Sequence, residues 1–356
     1  MKKLRAGIIG CGFMAQEAHI PALSSLPNVE IAAICDPRKS VTERLSKKWS
    51  IPFVTDSVEK LLSSEIDFAC IFTQVQLHKH HIDMAIDAGK HVFTEKPLAM
   101  SAESAKSILA KARKAGTHVA VGYMKRHEKN IRAALELNRE KNTGNIIFAR
   151  SHSFIGRHWD ACVSGVFPIF SSDEKVPYDF SVLDPAPVWL KDKRDEKFYS
   201  FDNPYYALLD TGCHSVNLMR FVTGKTPEIS SVIKSNGLRI VNMDFGNFRG
   251  VIEFCVNFNM NKWDEVTELY SEKSTLKIFT PPPTFMQSSA KAELYTENGL
   301  IHTNTVFDEN HQWAFKAQME DFIDTITKGN INTMDLEDSI EDISLIEQIY
   351  RRENNI

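Results

Sequence analysis

Over the first 125 residues the chain alternates short, continuously apolar runs with longer stretches of helical period. Leu4–Ile9, Val29–Cys35, Ile66–Phe72, Lys90–Thr94 and Thr117–Val121 read as strands. Helical patterns separate them at Phe13–Ser25, Arg38–Lys48, His78–Ala88 and Ala102–Ala115, and Gly89 and Gly116 sit where helices stop. Strands without polar alternation are those of a parallel sheet covered on both faces. Together these signals predict a doubly wound α/β domain over 1–125.

Beyond residue 125 the texture changes. Ile146–Ser153 reads as a strand, but 156–203 shows little periodicity, several prolines and many charges. A stretch that long is usually functional or ordered by a partner. From Ile229 the pattern is that of an antiparallel sheet. Over Gly250–Met260 the residues Ile252, Phe254, Val256, Phe258 and Met260 share one face, with Glu253, Asn257 and Asn259 on the other. Strands are expected at Val266–Tyr270, Thr275–Phe279 and Ala292–Thr296, and helices at Trp313–Thr327 and Leu336–Arg351. Residues 126–356 thus form an α+β domain, with the closing helices free to pack back on the first.

Composition narrows the classes. A length of 356 residues suggests two domains. With 43% hydrophobic and 25% charged residues, the balance is that of a globular protein. A net charge of −4 offers no basic scaffold for nucleic acid. No apolar run approaches the ~18 residues of a membrane span, and the N-terminal apolar run breaks too early for a signal peptide. Six scattered cysteines without a CxxC pair suit reduced thiols and a cytoplasmic protein.

The most specific local signal is Gly10-Cys-Gly12-Phe13-Met14-Ala15 between a strand and a helix. The first glycine permits a tight turn and the second lets a pyrophosphate approach backbone amides. A small third residue lets helix pack on strand. The next strand ends at Asp36, placed for the adenine-ribose hydroxyls. A carboxylate there favours NAD; Arg38, two residues on, keeps NADP open.

Further along stands Gly89-Lys-His-Val-Phe-Thr-Glu95-Lys96-Pro97-Leu98, followed later by Asp210-Thr-Gly-Cys-His214. With the glycine loop, these segments resemble the glucose-fructose oxidoreductase / inositol dehydrogenase (Gfo/Idh/MocA) family. Gly122-Tyr-Met-Lys125-Arg126, Glu268-Leu-Tyr, Gln318–Phe322 and Leu336–Asp338 are similar to its later segments, whereas 156–203 aligns with nothing in it. The resemblance implies an NAD(P)-dependent oxidoreductase of sugars or polyols, with a Rossmann domain and a sheet domain that often forms a homodimer or homotetramer interface. It makes Lys96, Asp210 and His214 the catalytic set. Phe13, Met14, Thr73, Gln74, His78, Glu95 and Lys96 join Gly10, Gly12, Asp36 and Arg38 around the cofactor. Lys125 and His152 become candidate substrate contacts. Gln74 departs from the family's usual Thr-Pro.

The residue chemistry supports these roles. Lys96 follows a parallel strand's carboxyl end, where open α/β sheets bind ligands, and its ammonium can stabilise alkoxide character. Asp210 and His214, expected at the start of a helix, are spaced to share one face. There the helix dipole would favour the neutral imidazole of a general base, with Asp210 orienting it. His78, His80 and His81 lack the partners of a metal site, and no metal is expected. Trp159, Trp189 and Tyr205 could stack on a sugar, although packing is the commoner role, and Lys191, Lys193 and Arg194 could meet a phosphorylated substrate or simply water. Two other functions share these residues: an elimination enzyme that retains NAD, and a regulator that only senses a sugar or nucleotide.

Overall fold

The structure, a computed structural model, describes residues 3–156, 169–174, 176, 179–190, 197–256, 259–260, 262–308, 311–329 and 336–356. Trp159, Cys162, Lys191, Lys193 and Arg194 lie outside them. The chain divides into two compact units. The first joins 1–122 with 165–210 and 318–343, and the second joins 123–164 with 211–317 and 344–356. A single boundary at residue 125 therefore marks only where the chain first leaves the first unit.

The first unit is built on a parallel sheet of strands β1 (Leu4–Ile9), β2 (Val29–Cys35), β3 (Phe53–Thr55), β4 (Phe68–Ile71), β5 (His91–Glu95) and β6 (Val119–Gly122). Their order is β3-β2-β1-β4-β5-β6, the Rossmann order, which reverses between β1 and β4. Ile8, Ile34, Phe68 and Phe93 are fully buried, as the unbroken apolar runs require. Phe322, from the returning segment 318–343, packs edge-on against Phe68 and Phe93 with centroids 5.4 and 5.6 Å away. Local chemistry sets the helix ends. Ser101 caps Ala102–Ala115 by accepting from the Ser104 amide, and Gly116 ends that helix at φ 63°. Residues 13–24 are helical as expected, but with a π-helical turn at Ala15–His19.

The second unit carries an eight-stranded sheet among the described residues. It contains β7 (Ile146–Ile155), β8 (Glu228–Ser235), β9 (Leu238–Asp244), β10 (Arg249–Val256), β11 (Trp263–Ser271), β12 (Ser274–Phe279), β13 (Lys291–Asn298) and β14 (Ile301–Phe307). The order is β14-β13-β12-β11-β7-β10-β9-β8. All its pairings are antiparallel except β7 with β10. Asn236 and Gly237, both at positive φ, form the tight β8–β9 turn. Ile252 and Phe254 are buried as the alternation predicts, but β10 ends at Val256 and Met260 lies half exposed outside any strand. The sequence pattern also passed over the helix Lys129–Glu140, whose apolar side packs on β12, β13 and β14. No helix among the described residues is long and apolar enough to cross a membrane.

The helix expected to begin at Asp210 runs instead from Pro204 to Thr223. Asp210 and His214 therefore lie in its interior, four residues apart. Asp210 is no N-cap, and the dipole argument for a neutral His214 falls, because that field acts only over the terminal turn.

Candidate active site

The glycine loop leaves β1 at the point where strand order reverses. Gly10 has φ +91°, and a Cβ there would stand 2.8 Å from the backbone of Phe72 and Thr73, at the tip of β4. Only glycine fits that approach. A Cβ on Gly12 would meet nothing within 4 Å, so the loop is open on the side where a pyrophosphate would lie. Phe13 and Met14 are half-buried at the head of the following helix.

Asp36 closes the other side. Its carboxylate accepts from the Cys11 amide at 2.8 Å, the Arg38 amide at 3.0 Å, and Arg38 Nε and Nη2 at 2.8 Å each. The Arg38 fork thus sits on the oxygens that two ribose hydroxyls would use. Its hydrogen bonds to Asp36 hold the guanidinium above its ordinary pKa. The open loop and the carboxylate at the end of β2 together fit the diphosphate and adenosine ribose of a dinucleotide.

At the carboxyl end of β5, Lys96 Nζ donates to Asp210 Oδ1 at 3.1 Å and to the Asp210 carbonyl at 3.0 Å. Two residues 114 positions apart are thereby brought together within the first unit. The following Lys96–Pro97 peptide is cis. His78 braces this corner: it is buried, with Nδ1 2.8 Å from the Pro97 carbonyl and Nε2 2.9 Å from that of Thr73. Burial lowers its pKa despite both carbonyls. Thr73 Oγ1 faces His81 Nδ1 at 3.2 Å, and burial pushes the His81 pKa down to about 3. Gln74 caps no helix amide with its side chain but meets Gln76 at 3.1 Å.

Glu95 is buried rather than open. Oε1 lies 2.6 Å from His19 Nε2, and Oε2 accepts from the Lys96 amide at 3.0 Å. Burial alone would raise its pKa, but the His19 bond and the nearby Lys96 charge outweigh that and hold it below the ordinary value. His19 stacks on Phe72 at 3.9 Å. A relay of contacts therefore runs from the helix behind the glycine loop, through His19 and Glu95, to the Lys96 backbone. The sequence reading missed His19. The available signal was a run of polar residues, Gln16, Glu17 and His19, inside an otherwise apolar helix; buried polar groups of this kind require partners.

In the second unit Lys125 is buried, and its ammonium pairs with Glu265. Glu265 Oε2 is buried with no hydrogen-bond partner among the described residues. Nearby Glu128 is pushed up to about 7 by burial, against the Ala290 amide and the Lys125 charge. His152 Nδ1 lies 2.9 Å from Glu253 Oε2, and its ring stacks on Phe154 at 4.2 Å. Tyr205, in the first unit, is wholly buried, donates to the Met100 carbonyl at 2.7 Å and packs edge-on against Trp189. Among the described residues no cluster of His, Cys, Asp or Glu is placed to hold a metal ion.

Residues 4–123 match the model of an oxidoreductase family with an NAD-binding Rossmann fold, GFO_IDH_MocA. This domain belongs to the Gfo/Idh/MocA family. Curated relatives match over less than half their own length. A D-glucoside 3-dehydrogenase of Escherichia coli is 34% identical over 121 residues, 34% of this chain and 34% of that protein. The dTDP-3,4-didehydro-2,6-dideoxy-alpha-D-glucose 3-reductase of Actinomadura kijaniata is 30% identical over 143 residues, 40% of this chain and 43% of that protein. Likeness of fold extends further. An oxidoreductase from Agrobacterium radiobacter, solved with NAD+, L-tartaric acid and magnesium, aligns with a TM-score of 0.75 and 17% identity over 99% of this chain and 97% of that one. Within the Gfo/Idh/MocA domain, Gly10, Gly12, Asp36 and Lys96 all fall inside the matched range.

Proposed function

We propose that the chain is an NAD(P)-dependent oxidoreductase that moves a hydride between a carbinol carbon of a sugar or cyclic polyol and nicotinamide, with NAD the expected cofactor. The observation that carries the reading is the Lys96 ammonium held on Asp210, beyond β5 of a domain whose glycine loop is open for a diphosphate. Nicotinamide, when bound, supplies the hydride acceptor or donor. Lys96 hydrogen-bonds the reacting oxygen and stabilises its alkoxide character. Asp210 fixes the lysine and, one turn before His214 on the same helix, is spaced to orient that ring. His214 takes the hydroxyl proton on a ring nitrogen.

Lys125 and His152 are assigned to substrate hydroxyls. The unpartnered Glu265 Oε2 supports this for Lys125, since a hydroxyl can donate to that oxygen while accepting from the ammonium. The names of the two curated relatives, a dehydrogenase and a reductase of sugars, support the substrate class and leave both directions open. Cys11, Cys35, Cys70 and Cys255, which form no disulfide among the described residues, suit the cytoplasm. Assembly as a homodimer or homotetramer through the sheet domain is part of the same proposal, and sedimentation measures it.

The test is absorbance of reduced nicotinamide with purified protein, NAD or NADP, and a panel of sugars and inositols. One substrate should give a cofactor-dependent change, and His214→Ala should lower kcat by about 10²- to 10⁴-fold. Turnover within a few-fold of the parent would remove His214 as the base. A flat panel from protein that binds cofactor would move the reading to a retained-NAD enzyme or a sensor.

A further inference from the structure

The segment 169–174 belongs to the first unit and lies against the glycine loop through Gln16. Gln16 Nε2 donates to the Cys11 carbonyl at 2.9 Å and to the Phe170 carbonyl at 3.0 Å. The Phe170 amide returns a bond to Gln16 Oε1 at 2.8 Å. Arg44 and Lys48 stand over the Phe170 ring at 5.9 and 5.6 Å. Four residues on, Glu174 lays its carboxylate across the start of the helix Lys39–Trp49. Oε1 accepts from the Ser40 amide at 3.2 Å, Ser40 Oγ at 2.6 Å and Ser172 Oγ at 2.9 Å. Oε2 accepts from the Lys39 amide at 3.2 Å.

These donors follow Asp36, Pro37 and Arg38 directly in the chain. As the next donors along the chain after Asp36, they are the candidates to meet any group attached to the ribose oxygen that Asp36 would hold. NAD carries a hydroxyl there, and NADP a phosphate. A phosphate would call on Arg38, the Lys39 and Ser40 amides and Ser40 Oγ. Asp36 occupies the first of these and Glu174 the other three.

We propose that Glu174 is a cofactor-specificity determinant, which selects NAD by filling with its own carboxylate the position that the 2′-phosphate of NADP would take. NADP must displace Glu174 and bring a dianion against two carboxylates, whereas NAD needs only Asp36. The hydrogen bonds from Ser40 and Ser172 hold the Glu174 pKa below its ordinary value, so the competing charge persists throughout the neutral range. The proposal rests on the dinucleotide reading above.

The experiment is calorimetric titration of NAD and of NADP into the full-length protein and into Glu174→Gln, at low and at physiological salt. The expected result is a parent that prefers NAD, and a variant in which NADP gains at least about fivefold relative to NAD. Salt should narrow the preference of the parent more than that of the variant, because the discriminating charge is exposed. An unchanged ratio, equal shifts for both cofactors, or a parent that prefers NADP would overturn the proposal and leave the oxidoreductase reading standing. Failure of either cofactor to bind either protein would overturn both.

Discussion

Two lysine–carboxylate pairs in this chain use the same chemistry in different settings. Lys125 and Glu265 are nearly sealed, with side chains 8% and 1% exposed. Lys96 and Asp210 stay reachable, at 14% and 26%. In a sealed pair each charge is solvated mainly by its partner, so removing one leaves the other stranded. In an open pair, water or a substrate oxygen can share the ammonium. Apparent conservatism of residue type therefore says little about role. The environment separates an ion pair whose breaking strands a buried charge from one that water already shares.

The largest effect should come from breaking the sealed pair. Glu265→Ala is expected to cost about 3–5 kcal/mol in chemical denaturation, and Lys125→Met with Glu265→Leu should recover most of it. A single-variant cost below about 1 kcal/mol would erase the distinction. Next comes Lys96→Met, for which kcat should fall by about 10²- to 10³-fold, with a smaller loss of stability than Glu265→Ala. If Lys96→Met instead unfolded the protein and spared turnover, the two pairs would have to exchange roles.

Asp184 extends the comparison to a buried acid held by neutral groups, accepting from the Met100 amide at 2.7 Å and from Ser104 Oγ. Burial pushes its pKa up to about 6. The native chain then holds more protons than the unfolded chain between about pH 4 and pH 6, so this group's contribution to stability falls as pH rises through that window. Against the parent, Asp184→Asn should gain about 2 kcal/mol in unfolding free energy between pH 4 and pH 7. No change with pH would mean that the acid titrates normally. The smallest effect belongs to Arg150, which spans Glu253 and Glu268 at the surface; Arg150→Ala should cost under about 1 kcal/mol, and less at high salt.

The Rossmann half was legible because each of its signals is local. Apolar runs, a glycine loop and an acid at the end of β2 lie within 36 residues of one another. The Lys96–Asp210 meeting was legible only through the family resemblance, since no local pattern joins residues 114 apart. The helix start at Pro204 was lost because the preceding stretch lacks apolar period, although Pro204 is itself a good first helical residue. The helix Lys129–Glu140 escaped notice because its buried face is narrow, with Ile131, Ala134 and Leu135 among charged neighbours. Glu174 and the unpartnered oxygen of Glu265 carry no sequence signature. Their significance lies entirely in what stands beside them.

The π-helical turn at Ala15–His19 makes this stretch intolerant of changes in length. A π turn accommodates one residue more than an α turn, and here it lets Gln16 face the 169–174 segment while His19 faces Glu95. Removing one residue between them would restore α geometry and turn Gln16 and His19 by about 100° relative to each other about the helix axis. One of the two side chains would then lose its partner. Insertions and deletions that surface loops absorb freely are closed to these five positions, so any recombination of this domain with a relative should place its junction elsewhere.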